Sequence, residues 1–134
     1  MTVVTTSRKP APEVRTLARD LAFSIGAGYV TRGKAGMGDL FALDESVLIV
    51  SKSGPFFLIL VYDGGEPAAE IRVGSFAVEE RVGAIARGLF VSDRFVYEAL
   101  KDHADVVFAG ESLTGHRIVF DGTQRKRYTL KVAP

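Results

Sequence analysis

Apolar positions in the first third of the chain recur with two different periods. Val14, Leu17, Ala18, Leu21, Ala22 and Ile25 stand at i, i+3, i+4, i+7, i+8 and i+11, one stripe of an amphipathic helix. Pro12 suits its first turn, and Gly26 and Gly28 stop it. Before it, Val3-Val4 with flanking threonines reads as a short strand; after it, Tyr29-Val30-Thr31 reads as a second. Gly33 to Gly38 is a glycine-rich connection, Asp39–Leu43 a short helix and Val47–Ser51 a buried third strand. Gly54-Pro55 turns the chain into Phe56–Tyr62, and Asp63-Gly64-Gly65 turns it back into Ala69–Val73, which predicts a hairpin.

The second half is patterned less regularly. Glu80 to Gly88 is expected as a short helix interrupted by Gly83, and a firmer helix runs from Ser92 as N-cap to His103, with Phe95, Val96, Ala99 and Leu100 on one side. Val106-Val107-Phe108 is a strand, and Arg117–Phe120 and Arg127–Val132 flank the hairpin turn Asp121-Gly122-Thr123-Gln124. Strands that alternate with helices predict an α/β fold: a mixed, at least partly parallel sheet covered by helices. No linker, low-complexity segment or residue-level repeat interrupts it, so residues 1–134 are expected to form one domain.

With 134 residues, 47% of them hydrophobic and 25% charged, the chain can bury a real core and is too apolar for a disordered one. Its longest apolar run, Phe56 to Tyr62, is far too short to span a bilayer. The polar, basic stretch from Thr2 to Pro10 does not read as a secretory signal, and a chain without cysteine fits a reducing cytoplasm. No membrane partner is expected. The net charge of +1 conceals an asymmetry. Residues 1–34 carry six cations against two acids (+4), residues 35–115 six against thirteen (−7), and residues 116–134 five against one (+4). Two basic ends around an acidic middle suggest a dipolar surface.

Catalytic and cofactor chemistry find little support. Gly28-Tyr29-Val30-Thr31-Arg32-Gly33-Lys34 matches the spacing of a phosphate-binding loop, yet a strand lies inside the supposed loop. Ala35 also replaces the hydroxyl that would hold magnesium. Gly26-Ala27-Gly28 fails as a dinucleotide fingerprint because Thr31 stands where the third glycine belongs. His103 and His116 have no carboxylate or second histidine at ligand spacing, and no serine has nucleophile-elbow context. No cofactor, metal or catalytic residue is assigned, and the chain reads as a binding protein rather than an enzyme.

The turn Thr5-Thr6-Ser7-Arg8-Lys9-Pro10 offers more. It joins the first strand to the best helix, near that helix's positive end, where hydroxyls and cations make an anion cradle. Arg15 and Arg19, four residues apart, share a helix face turned from the Leu17/Leu21 stripe, with Glu13 and Asp20 on the opposite flank. Arg32 and Lys34 follow the second strand and converge with Ser7–Lys9 if the first two strands are parallel. Phe23 has two readings, an exposed stacking aromatic or a contact with the second half of the domain. Arg125-Lys126-Arg127, beside the last hairpin turn, is either a sequence-independent phosphate contact or a solvated tip.

Thr5–Pro10, Arg15 with Ala18-Arg19-Asp20-Leu21, Tyr29-Val30 and Arg32-Gly33-Lys34 together resemble the Brix-domain family of ribosome-biogenesis proteins, especially its short archaeal members. The resemblance is specific over the first forty residues and beyond them rests on length and element order. It implies two related α/β halves, about 1–65 and 66–134, like the anticodon-binding domain of class II aminoacyl-tRNA synthetases. It also implies non-catalytic binding of pre-rRNA or rRNA during processing and subunit assembly. The contacts would be Ser7, Arg8, Lys9, Arg15, Arg19, Arg32 and Lys34, with Arg125, Lys126 and Arg127 secondary. The alternative is a protein-interaction scaffold whose acidic middle docks a basic ribosomal protein and whose Phe56–Tyr62 edge pairs with a partner strand.

Overall fold

A computed structural model describes residues 2–110 and 115–133. In chain order the elements are β1 (Thr2–Thr6), α1 (Pro12–Ile25), β2 (Gly28–Tyr29), α2 (Met37–Phe41), β3 (Ser46–Ser53), β4 (Phe56–Asp63) and β5 (Glu66–Glu80). There follow β6 (Leu89–Val91), α3 (Arg94–Leu100), β7 (Val106–Phe108), β8 (Arg117–Asp121) and β9 (Lys126–Val132). All nine strands join one mixed sheet in the order β2-β1-β3-β4-β5-β9-β8-β6-β7. β1 is parallel to β2 and β3, and β6 is parallel to β7; every other pairing is antiparallel.

The helix stripe does what its period requires. Val14, Leu17, Ala18, Leu21 and Ala22 are buried on one face of the sheet against Val4, Leu48 and Val50, in a cluster that also takes in Val96 and Leu100 of α3. Burying each leucine there stabilises the fold by about 1.5–3 kcal/mol. Gly26 ends α1 at φ 70°, and the N–H of Ala27 returns to the carbonyl of Ala22 at 2.9 Å, a geometry that glycine reaches without a Cβ penalty. On the opposite face, α2 sets Leu40 against Val47 and Ile49. β3 is therefore covered on both sides, which explains why Val47, Leu48, Ile49 and Val50 form an unbroken apolar run.

β5 joins the two ends of the molecule. Its first part pairs with β4 through Val73, and beyond an irregularity between Val73 and Ser75 it pairs with β9 as far as Glu80. On either side of it the strand orders correspond, β2-β1-β3-β4 and β7-β6-β8-β9. Each set contains a parallel strand–helix–strand unit, β1-α1-β2 in one and β6-α3-β7 in the other.

Several expectations need correction. Residues 81–88 are not helical: the backbone N–H groups of Arg81 and Gly88 bond to Arg125 and Ser24, far away in sequence. Gly83 and Gly88 take φ values of 95° and 90°. α3 is shorter than predicted, and its N-cap is Asp93, whose carboxylate accepts the Val96 N–H at 3.1 Å. Phe95, placed on the apolar side, is 58% exposed. β4 lies between β3 and β5, so Phe56–Tyr62 has no free edge for a partner strand.

Candidate nucleic-acid interface

Parallel pairing of β1 with β2 puts the loops that follow them at the same edge of the sheet. Ser7, Arg8 and Lys9 leave β1 there, and Lys34 leaves β2; Arg8, Lys9 and Lys34 are exposed. Arg8 reaches across to the second loop, where a Cβ added at Gly36 would lie 3.8 Å from its Nη2. Lys9 holds a positive φ of 50°, which re-aims the chain into Pro10 and the start of α1. The N-terminus of α1 points at this edge, because Lys52, near the end of β3, forms a 3.1 Å ion pair with Glu13 of its first turn. Arg15 and Arg19 are exposed along α1, and the Arg19 guanidinium sits 5.8 Å above the ring of Tyr29 on the edge strand β2.

The hydroxyls of the predicted cradle point elsewhere. Thr5 and Thr6 belong to β1 and are buried; Thr5 donates to the Val30 carbonyl at 2.6 Å and Thr6 to that of Ser7 at 2.9 Å. Arg32 is also turned inward. It is 9% exposed, donating from Nε to the Ala35 carbonyl at 2.7 Å and from Nη1 to that of Thr6 at 3.1 Å, with Nη2 beside the Met37 sulfur. Its planar fork ties the loop after β2 to the end of β1. It therefore positions the exposed cations around it and is not itself a surface contact.

The second basic cluster divides in the same way. Arg125 is exposed at the β8–β9 turn at φ 57°. Lys126 leans to within 3.9 Å of buried Asp20, and Arg127 clamps Asp121 with Nε at 2.8 Å and Nη2 at 3.4 Å. Burial alone would raise the Asp121 pKa, but the hydrogen bonds from Arg127 and the Ala86 N–H, with the charges of Arg127 and Arg81, hold it below the ordinary carboxylate value. Phe23 packs toward the second half of the chain, under the Arg87 guanidinium at 4.2 Å, while Arg87 Nη1 donates to its carbonyl.

Among the described residues no group of three or more metal-ligating side chains exists. Histidine nevertheless finds partners that spacing did not reveal. His116 meets Asp93 at 2.9 Å, and His103 meets the Ser46 hydroxyl at 2.8 Å, linking the end of α3 to β3.

No protein-family model matches the chain. Curated relatives do. A probable Brix domain-containing ribosomal biogenesis protein of Archaeoglobus fulgidus is 41% identical over 73 residues, covering 53% of this chain and 47% of that protein. One of the same description from Methanococcoides burtonii is 33% identical over 100 residues, covering 74% of this chain and 57% of that protein. The chain is a homologue of Brix domain-containing proteins. It spans about half the length of the curated relatives it matches. The fold of this Brix homologue is that of two solved proteins. Mil, an archaeal Imp4-like protein, superposes with a TM-score of 0.67 at 20% identity, covering 98% of this chain and 97% of that one. A probable ribosomal biogenesis protein from Aeropyrum pernix K1 gives 0.68 at 18% identity, covering 98% and 94%.

Two residues of the Brix homologue's basic edge were missed in the sequence. Lys52 lies just past the expected third strand, and Tyr29 reads as a strand residue; only the β2-β1-β3 order brings both beside α1.

Proposed function

We propose that this Brix homologue is a non-catalytic factor of ribosome assembly that holds pre-rRNA phosphates on the basic edge of β2-β1-β3. The observation that carries the reading is the shared edge: Ser7, Arg8 and Lys9 follow one parallel strand and Lys34 its neighbour. Arg15 and Arg19 stand exposed on the helix that starts there. Phosphate contacts of this kind fix affinity and register without reading sequence. Arg125 and Lys126 supply a secondary contact, while Arg32 acts as a positioning residue. Residues 1–134 act as one domain, and its related halves, about 1–65 and 66–134, meet along β5. No described helix is long and apolar enough to cross a membrane. On the ribosome-assembly reading, the rRNA partner is cytoplasmic.

Neutralising Arg8 and Lys9 together tests the reading. Binding to an rRNA fragment should weaken, and the slope of log K against log salt should flatten by roughly 1–2 for the two lost cations. Unchanged affinity and slope in the folded double variant would refute it. A protein-docking reading draws on Glu66, Glu70, Glu79 and Glu80, all exposed along β5. Partners of the full chain that survive nuclease treatment of a lysate favour that second reading.

A further inference from the structure

β6 and β8 send alternate residues to opposite faces of the sheet. In the N-terminal half, α1 covers one face and α2 the other. In the C-terminal half, Leu89 and Val91 of β6 and Ile118 and Phe120 of β8 point into the main core. Alternation therefore sends Phe90 and Val119 to the opposite face. Register sets Val107, Phe90 and Val119 side by side, followed by Thr129 of β9, in one row across the strands. Here lies a groove of about 440 Å³, bounded by Ala86 of the 81–88 loop and by the Asp121–Arg127 pair. Its volume falls within the ~300–1,000 Å³ of small-molecule sites.

The polar end of the groove has a definite hydrogen-bonding character. Asp121 is 2% exposed and already accepts from Arg127 Nε at 2.8 Å, Arg127 Nη2 at 3.4 Å and the Ala86 N–H at 2.9 Å. Arg127 thus presents its side edge to Asp121; its Nη1 has no hydrogen-bond partner among the described residues, and the exposed Glu79 opposite it on β5 adds a nearby negative charge. The outer edge of Arg127 is a fixed pair of donors, complementary to two adjacent acceptors on a planar ring. Guanine offers such a pair in O6 and N7, whereas adenine sets an N6 donor in place of O6. The flat ring of Phe90 beside Val107 and Val119 is a stacking floor, the way a sheet face takes unpaired bases. Arg125 is exposed at the neighbouring β8–β9 turn.

We infer that this groove takes an unpaired guanine of single-stranded RNA, stacked on Phe90 and read by the outer edge of Arg127. The inference rests on the RNA-binding reading above and adds base selection to an interface that otherwise contacts phosphates. It gives Asp121 a positioning role: locking the guanidinium plane so that its donors face the groove.

The test uses the full chain and fluorescent single-stranded RNAs of roughly 12 nucleotides, one all adenine and one with a central guanine. The wild-type chain should prefer the guanine strand roughly 5- to 150-fold, the discrimination of one bidentate pair. Arg127→Lys keeps the charge and loses the fork, and Phe90→Leu keeps apolar bulk and loses the ring. Both variants should abolish the preference while still binding the all-adenine strand, with unchanged circular dichroism. Equal wild-type affinity for the two strands would overturn this inference and leave the phosphate-binding reading standing; so would a preference that persists in both folded variants. The former is the result expected if the groove takes an apolar protein segment instead. Failure to bind either strand would overturn both readings.

Discussion

Replacing Asp20 with alanine should cost the protein much of its stability, and the structure says how much. The Asp20 side chain is 1% exposed and accepts the Thr123 N–H at 3.1 Å, the Thr123 hydroxyl at 2.6 Å and the buried Tyr128 hydroxyl. The Lys126 ammonium lies 3.9 Å away. The carboxylate thus fastens α1 to the β8–β9 turn across a hundred residues of sequence. Without it, the Tyr128 hydroxyl is a buried donor with no acceptor, which costs about 1–3 kcal/mol. The Thr123 donors are only partly buried, so water recovers some of their loss. A total of about 3–4 kcal/mol follows, at the lower end of the ~3–5 kcal/mol for removing one partner of a buried ion pair. That is a large share of the ~5–15 kcal/mol that holds a domain folded. Urea unfolding of the full chain at constant m-value measures it. Tyr128→Phe supplies the decisive control, because deleting the hydroxyl removes the orphaned donor. Asp20→Ala should therefore cost about 1–2 kcal/mol less in that background. A loss below ~1 kcal/mol for Asp20→Ala, or additivity within ~0.5 kcal/mol in the cycle, would refute the reasoning.

Four further outcomes follow from the side-chain geometry. A Cβ at Gly122 would lie 2.7 Å from Asp20 Cγ and 2.9 Å from the Tyr128 ring, so Gly122→Ala should destabilise by about 1–3 kcal/mol of overpacking in thermal unfolding. Arg32→Met should lose about 2–4 kcal/mol, because two charge-assisted bonds to carbonyls are broken, whereas Arg8→Ala should stay within ~0.5 kcal/mol of wild type; equal losses in urea titrations would contradict the split between them. Asp121 has a folded pKa below its unfolded value, so its stabilisation is present above the ordinary carboxylate pKa of about 3.9 and is lost as pH falls through the lower folded value. Asp121→Asn should accordingly flatten the acid limb of a stability–pH curve, and an unchanged limb would count against the Arg127 pairing. Tyr128 works in the opposite direction: burial, then the hydrogen bond and charge of Asp20, raise its pKa. Its stabilisation is present below about pH 10 and lost above it, and Tyr128→Phe should remove that alkaline loss from melting curves.

α1 was legible because a fourteen-residue helix repeats its stripe several times, and β3 and β4 because burial on the sheet leaves apolar runs. The second part of β5 was not legible. From Gly74 to Glu80 only Phe76 is shielded from solvent to any degree, so hydrophobic alternation marks no strand there. The segment is held by its backbone ladder to β9, with Glu79 and Glu80 opposite Arg127 and Lys126. The 81–88 segment misled for a related reason: its composition tolerates a helix, but distant acceptors capture its N–H groups and two glycines take positive φ. Local propensity yields to contacts that only the assembled sheet supplies.

The candidate site shows the same limit for charge. Arg8, Arg32, Arg125 and Arg127 read alike along the chain, two pairs of cations beside turns. In the fold each pair divides into one exposed member and one held inward, Arg32 by carbonyls on its fork and Arg127 by a carboxylate along one edge. Counting cations therefore located the basic ends of the molecule but not which cations stand free on its surface. Asp20 was legible only as an acid on the helix flank away from Arg15 and Arg19; in the fold the C-terminal hairpin closes over it. That burial matters to the proposed interface. An exposed acid next to Arg19 would compete with phosphate for its guanidinium; an acid committed to Tyr128, Thr123 and Lys126 does not. The contact that joins the two halves of the sheet thereby also leaves the Arg15–Arg19 face of α1 electrostatically open.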